Sequence, residues 1–263
     1  MHINRHEKRP LTLFRPCIDL HQGKVKQIVG GSLNQTGPQT NFVSAHDASY
    51  YAELYKKHNL SGGHIISLGP NNQQQALNAL SAYPNKLQYG GGVNPDNVQE
   101  FLDAGASHVI VTSYLFENGQ FSWSRLNTIK SAVGADRLVL DLSCRKTNKG
   151  WMIATDRWQT VTDTPINQET LTQLEQHCAE FLVHAADVEG LQAGMDQDLV
   201  KLLGEICNIP CTYAGGAKSV KDLQLVNQLS NGKIDLTIGS ALDIFGGSGV
   251  TLKECLNWNN QNQ

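Results

Sequence analysis

No run of 18 apolar residues occurs in this chain, so it offers no candidate for a membrane-spanning helix. The opening MHINRHEKRP is polar and charged, with no apolar stretch of the kind found in a secretory leader, and the expected location is cytoplasmic. Charge of one sign is also missing. Lys and Arg total 21 against 24 Asp and Glu, a formal charge of −3 with no block of like charges. Nucleic-acid and membrane-surface partners need such a block, so the expected partner is a small molecule. The six cysteines (Cys17, Cys144, Cys178, Cys207, Cys211, Cys255) include no C-x-x-C pair, which disfavours a zinc site and a disulfide scaffold and reads as reduced thiols. No metal-ligand cluster and no dinucleotide fingerprint is found, so no metal and no cofactor is expected. No Pro/Gly/Ser-rich linker interrupts the 263 residues, and 1–263 read as one domain, expected to act as a monomer.

What the sequence does contain is a repeated alternation. Short apolar, β-rich runs recur at 11–19, 64–69, 86–90, 108–113, 137–142, 180–187, 209–215 and 233–240. Between them lie segments with apolar residues near the 3.6-residue period, such as Ala48, Tyr51, Ala52 and Tyr55, or Val220, Leu223, Val226 and Leu229. Asn94-Pro95 reads as a helix start, and Ser219-x-x-Asp222 as a capping-box variant. Eight strand–helix units in about 250 residues predict an α/β fold of the (β/α)₈ TIM-barrel type, with a doubly wound open sheet as the competing topology. The stretches 20–47 and 143–166 are too long for ordinary connections and read as active-site loops.

An internal repeat sharpens this expectation. Ile18-Asp19-Leu20 matches Leu140-Asp141-Leu142, Tyr89-Gly90-Gly91-Gly92-Val93 matches Tyr213-Ala214-Gly215-Gly216-Ala217, and Val111-Thr112-Ser113 matches Ile238-Gly239-Ser240. All three pairs are separated by close to half the chain, which predicts two fused half-barrels with equivalent sites facing each other across the mouth.

A Gly-Gly pair directly after a strand leaves backbone amides open to an anion, particularly where a helix begins. Gly91 and Gly92 with Thr112 and Ser113 form one such candidate cradle; Gly215 and Gly216 with Gly239 and Ser240 form the other. A single Gly-Gly pair is equally well explained as a tight turn, but two in register, each followed by a hydroxyl residue, point to a substrate with a phosphate at each end. Asp19 and Asp141 end opposed strands at the mouth, where two carboxyl groups in unlike environments divide acid and base roles. After the sixth strand, His184, Asp187 and Glu189 add polar groups, of which strand alternation puts His184 and Asp187 on opposite sides. The loop after the fifth strand carries Arg145, Lys146, Trp151, Arg157 and Trp158, candidates for charge and an aromatic lid over a heterocycle.

The stretches CIDLHQGKVKQIVGG, SLGPNN, GGGV, VTSYLF, LVLDLSCRK, FLVHAADVEGL, YAGGAKSV and GSALDIFGG, which with others span nearly the whole chain, resemble the histidine-biosynthesis isomerases that act on phosphoribosylformimino-5-aminoimidazole carboxamide ribotide, in the form typical of fungi and plants. The resemblance implies a (β/α)₈ barrel, a diphosphorylated ribotide substrate and an Amadori rearrangement of an aminoaldose to an aminoketose with no external electron carrier. It puts the general base on Asp19 and the acid on Asp141, or on Glu189, which holds the acidic position used in some members. Two departures stand out: His184 replaces a threonine of the common bacterial pattern, and Gln27 replaces an arginine, whose charge Lys24 or Lys26 would then supply. Alternatives are the barrel cyclase of the next step, which needs an ammonia-delivering glutaminase partner, and a phosphosugar-binding barrel without catalysis; a bifunctional isomerase that also serves tryptophan synthesis lacks a dedicated feature.

Overall fold

The computed structural model describes residues 11–29, 40–156 and 158–261. In chain order the strands are β1 (Phe14–Arg15), β2 (Cys17–His21), β3 (Lys24–Ile28), β4 (Thr40–Val43), β5 (Gly63–Leu68), β6 (Leu87–Gly90), β7 (Val109–Val111), β8 (Phe116–Glu117), β9 (Gln120–Phe121), β10 (Leu138–Asp141), β11 (Cys144–Thr147), β12 (Gly150–Thr155), β13 (Thr160–Pro165), β14 (Glu180–His184), β15 (Cys211–Ala214) and β16 (Ile234–Thr237). The helices are α1 (Ala48–Lys57), α2 (Gln73–Ala82), α3 (Val98–Asp103), α4 (Trp123–Val133), α5 (Gln168–Leu174), α6 (Gln197–Ile206), α7 (Val220–Ser230) and α8 (Leu252–Asn260).

The parallel order β1-β16-β15-β14-β10-β7-β6-β5-β2 closes into a ring, because β1 and β2 are one chain segment divided only by Pro16. The predicted strand at 11–19 is therefore two. Proline has no N–H to give to a ladder; its carbonyl accepts from His64 N at 3.0 Å, while the residues before it pair with the last strand. The closed barrel is thus the architecture, and the open sheet is excluded.

Alternation sorts each barrel strand. On β10, Leu138 and Leu140 join the outer core beneath the helices, whereas Val139 packs inside the ring with Ile110, Leu182 and Ile66. The helices cover the outside as the 3.6 period requires: Ala48, Tyr51, Ala52 and Tyr55 of α1 are all buried. The Ser219–Asp222 box is formed, with the Asp222 carboxylate accepting from Ser219 N at 2.8 Å. The Asn94-Pro95 start is displaced. Helix α3 begins at Val98, because Asn94 Oδ1 instead accepts from Asp96 N at 2.8 Å and closes a turn.

The two long segments contain strands of their own. β2 runs into β3 through Gln22 and Gly23, both at positive φ (54° and 72°), the two-residue turn that joins antiparallel strands. β11, β12 and β13 form a separate antiparallel sheet following the fifth barrel strand. Trp151 Nε1 donates to Asp196 at 2.9 Å, tying this sheet to the N-cap residue of α6.

Candidate active site

The mouth of the barrel opens into a cavity with two lobes. The first, of about 450 Å³, is lined by Gly91, Gly92, Thr112, Ser113, Asp141 and Trp158 among others. The second, of about 20 Å³, is lined by Cys17, His64, Gly215, Gly216, Gly239 and Ser240 among others. Asp19, His184 and Glu189 line both.

The two glycine cradles have the same backbone. Gly91 and Gly92 stand at φ +119° and +70°, Gly215 and Gly216 at +124° and +75°. A Cβ on Gly91 would lie 2.3 Å from Ser67 O, and one on Gly215 would lie 3.0 Å from Ala185 O, so each pair turns against the preceding barrel strand where a side chain has no room. Since α3 starts only at Val98, the first cradle consists of turn amides without a helix end.

The surroundings of the two hydroxyl sets differ. Thr112 Oγ1 donates to Asp141 Oδ2 at 2.9 Å, leaving Ser113 as the free-standing hydroxyl of the first cradle's predicted pair. Ser240 Oγ donates to Gln27 Oε1 at 3.4 Å and accepts from Asn41 Nδ2 at 3.3 Å. Gln192 Nε2 donates to Ser240 O at 2.9 Å, so polar side chains surround Ser240 at the second cradle.

At the centre, one imidazole faces three carboxyl groups. His184 is raised in pKa: burial works to lower it, but the charges of Asp141, Glu189 and Asp19 outweigh burial. Its Nδ1 lies 3.9 Å from Asp141 Oδ1, an ion-pair distance without a hydrogen bond. Asp141 is lowered although burial opposes this, because His184 faces it, Ser143 N donates at 2.8 Å and Thr112 donates as above. Asp19 moves the other way, to about 6, through burial that His184 and the Gln27 hydrogen bond (3.0 Å) only partly offset. Glu189 rises to about 7, again through burial, with the Asp19 charge adding to it and His184 opposing. Carboxyl groups near 6 and 7 are poised for proton transfer at neutral pH; Asp141 is held as an anion.

Of the sequence candidates, Asp19, Asp141, Glu189, His184, both Gly-Gly pairs, Thr112, Ser113, Gly239, Ser240 and Trp158 gather around this one cavity. Arg145 does not join them. Its Nε donates to Trp158 O at 2.8 Å and its guanidinium lies 3.5 Å from Asp187, so it holds the backbone of the tryptophan whose ring sits 5.8 Å from that of His184. Asp187 lies in the turn beyond β14, where strand alternation no longer applies, and accepts from Lys146 N at 2.9 Å instead of lining the cavity. Arg157 lies outside the described residues. Groups not singled out as site residues include Ser67; His64, held neutral near 3 by burial and by His184; Gln192 and Asn41 at Ser240; and Gln27 as the hydrogen-bond partner of Asp19. Gln27 had a signal, its place in the loop after the first barrel strand.

A twofold-repeated (β/α)₈ barrel with buried carboxyl groups of raised pKa between two glycine cradles is the class of protein that fold and site define. The family model described as histidine biosynthesis protein matches residues 14–247, and the chain belongs to that family. A Neurospora crassa protein named 1-(5-phosphoribosyl)-5-((5-phosphoribosylamino)methylideneamino)imidazole-4-carboxamide isomerase is 54% identical over 254 residues, covering 95% of this chain and 99% of its own. The Saccharomyces cerevisiae protein of that name is 52% identical over 258 residues, covering 95% and 98%. A Medicago truncatula relative, named as the chloroplastic form, is 49% identical over 256 residues, covering 94% of this chain and 82% of its own.

Proposed function

We propose that this protein isomerises phosphoribosylformimino-5-aminoimidazole carboxamide ribotide to its phosphoribulosyl form in histidine biosynthesis, by acid/base catalysis between Asp19 and Glu189. The observation that carries the assignment of roles is that these two carboxyl groups, at about 6 and 7, line both lobes of the cavity between the two cradles. Glu189 donates its proton to the ribose ring oxygen as the C1–O bond breaks and the nitrogen lone pair forms the Schiff base. Asp19 takes the C2 proton, and the electron pair moves to the Schiff base to give an enaminol. Asp19 then returns its proton to C1 while Glu189 recovers the enaminol hydroxyl proton, so the ketose forms and both groups regain their starting states. Each transfer contributes about 10²- to 10⁴-fold.

Asp141, the other candidate acid, serves as the fixed anion that raises the pKa of His184. The diphosphorylated substrate spans the cradles, one phosphate on Gly91, Gly92 and Ser113, the other on Gly215, Gly216 and Ser240. All six cysteines are buried and unpaired, which supports a reducing compartment such as the cytoplasm.

The test is turnover by the purified protein alone. Formation of the ribulosyl isomer without ammonia is expected. Turnover only of the ketose, and only with ammonia, would assign the cyclase step; tight binding without conversion would make the protein a phosphosugar binder.

A further inference from the structure

The repeat makes Asp19 equivalent to Asp141 and Gly239 equivalent to Thr112, yet the two aspartates are held differently. In the first half the hold is direct. Leu140 pairs with Val111, so Asp141 is level with Thr112, whose Oγ1 donates to it at 2.9 Å. In the second half Arg15 pairs with Thr237, and a Cβ on Gly239 would stand 3.8 Å from Cys17 Sγ. Gly239 is therefore level with Cys17. Asp19 stands two residues further along its strand, about 6.6 Å at the usual rise per residue, and a side chain as short as threonine at 239 would meet Cys17 instead.

Gln27 spans this step. It reaches in from β3, is buried, and donates from Nε2 to Asp19 Oδ2 at 3.0 Å. Its other end takes the space in which a side chain at 239 would begin: a Cβ there would lie 2.5 Å from Gln27 Oε1 and 3.4 Å from Gln27 Cδ. The next atom, Cys17 Sγ, is at ordinary contact distance. Gly239 is not among the glycines at positive φ, so its backbone suits any L residue, and the Gln27 amide is what leaves room for hydrogen alone. Oε1 also accepts from Ser240 Oγ at 3.4 Å. Among the described residues Gln27 is the one hydrogen-bond donor to Asp19.

We propose that Gln27 is a positioning residue for the isomerisation: seated in the gap at Gly239, it holds Oδ2 of Asp19 and leaves Oδ1 turned to the C2 proton. The inference rests on the isomerase reading. A reacting group misplaced by about 1 Å costs about 100-fold in rate, so a base held by one donor depends on that donor being fixed. The gap at Gly239 fixes it.

The experiment uses Gln27→Leu, Gly239→Ala and the double variant. The methyl group of Gly239→Ala lies closest to Gln27 and displaces its amide without touching Asp19. Steady-state kinetics, an NMR titration of the Asp19 carboxyl carbon in the free protein and the melting temperature are recorded for each. Both single variants are expected to lower kcat about 10- to 100-fold with KM within about threefold of wild type, and to move the Asp19 titration above 6, because the Gln27 hydrogen bond lowers it. The double variant should match Gln27→Leu within about threefold, since the methyl acts only through the amide. Cys17, Tyr55, His184 and Glu189 also face Asp19, and His64 lines the same lobe; every variant leaves them in place, and the titration is followed at Asp19 itself. A Gly239→Ala protein that folds only together with Gln27→Leu would support the same seating. Wild-type kcat and titration in Gly239→Ala, losses that multiply in the double variant, a change in KM alone, or a double variant that does not fold would each overturn the proposal. If the titrations follow this pattern but wild type does not isomerise, the hold of Gln27 on Asp19 stands and the isomerase reading fails.

Discussion

Asp19→Asn separates the chemistry of the base from its burial. The substitution is isosteric, and the carbonyl oxygen of the new amide can still accept from Gln27 Nε2, so the 3.0 Å contact survives. What changes is a charge. The Asp19 carboxyl titrates near 6 in the folded protein instead of 3.8, so folding favours its protonated form and the stability it contributes is lost as pH rises through 6. The shift corresponds to about 3 kcal/mol at pH 7. This is an upper bound on what the variant regains, since His184 loses an attractive neighbour in the same step. Denaturant unfolding of both proteins from pH 4 to pH 8 should give equal stabilities near pH 4, a difference that opens between 4 and 6 in favour of the variant, and a constant difference above. Turnover should fall by about 10²- to 10⁴-fold with little change in substrate affinity. Parallel stability curves, or turnover within tenfold of wild type, would refute both the burial argument and the role of Asp19.

Glu189→Gln should remove the basic limb of the pH profile of kcat/KM and leave the acidic limb near 6 in place; a basic limb that persists near 7 would return the acid role to Asp141. Gly92→Ala adds a methyl group that meets no protein atom within 4 Å, so the variant should lose only about 1 kcal/mol of stability from its positive φ while KM rises at least tenfold; an unchanged KM rules out a phosphate there. Gln27→Leu removes a hydrogen bond that lowers the Asp19 pKa, so the acidic limb should move to higher pH, and a stationary limb would show that Gln27 does not act on the base.

Much of this protein could be read from the order of its residues, because strand and helix periods, proline and glycine turns and the half-chain repeat are local or near-translational patterns. The eight runs became the barrel, the paired Gly91-Gly92 and Gly215-Gly216 turns took matching backbone angles, and the aspartates at the ends of opposed strands reached one cavity. The sequence could not rank Glu189 against Asp141, since a carboxyl pKa depends on which distant groups share its desolvated space: His184, Ser143 and Thr112 hold Asp141 down, while Glu189 meets burial and Asp19. Nor could it show that Arg145 turns to Asp187 and Trp158, or that Gln27 reaches Asp19 and Ser240. The difference between the halves was present in the letters as Thr112 opposite Gly239. It acquired meaning only when closure of the ring at Pro16 brought Gly239, from the far half of the chain, against Gln27.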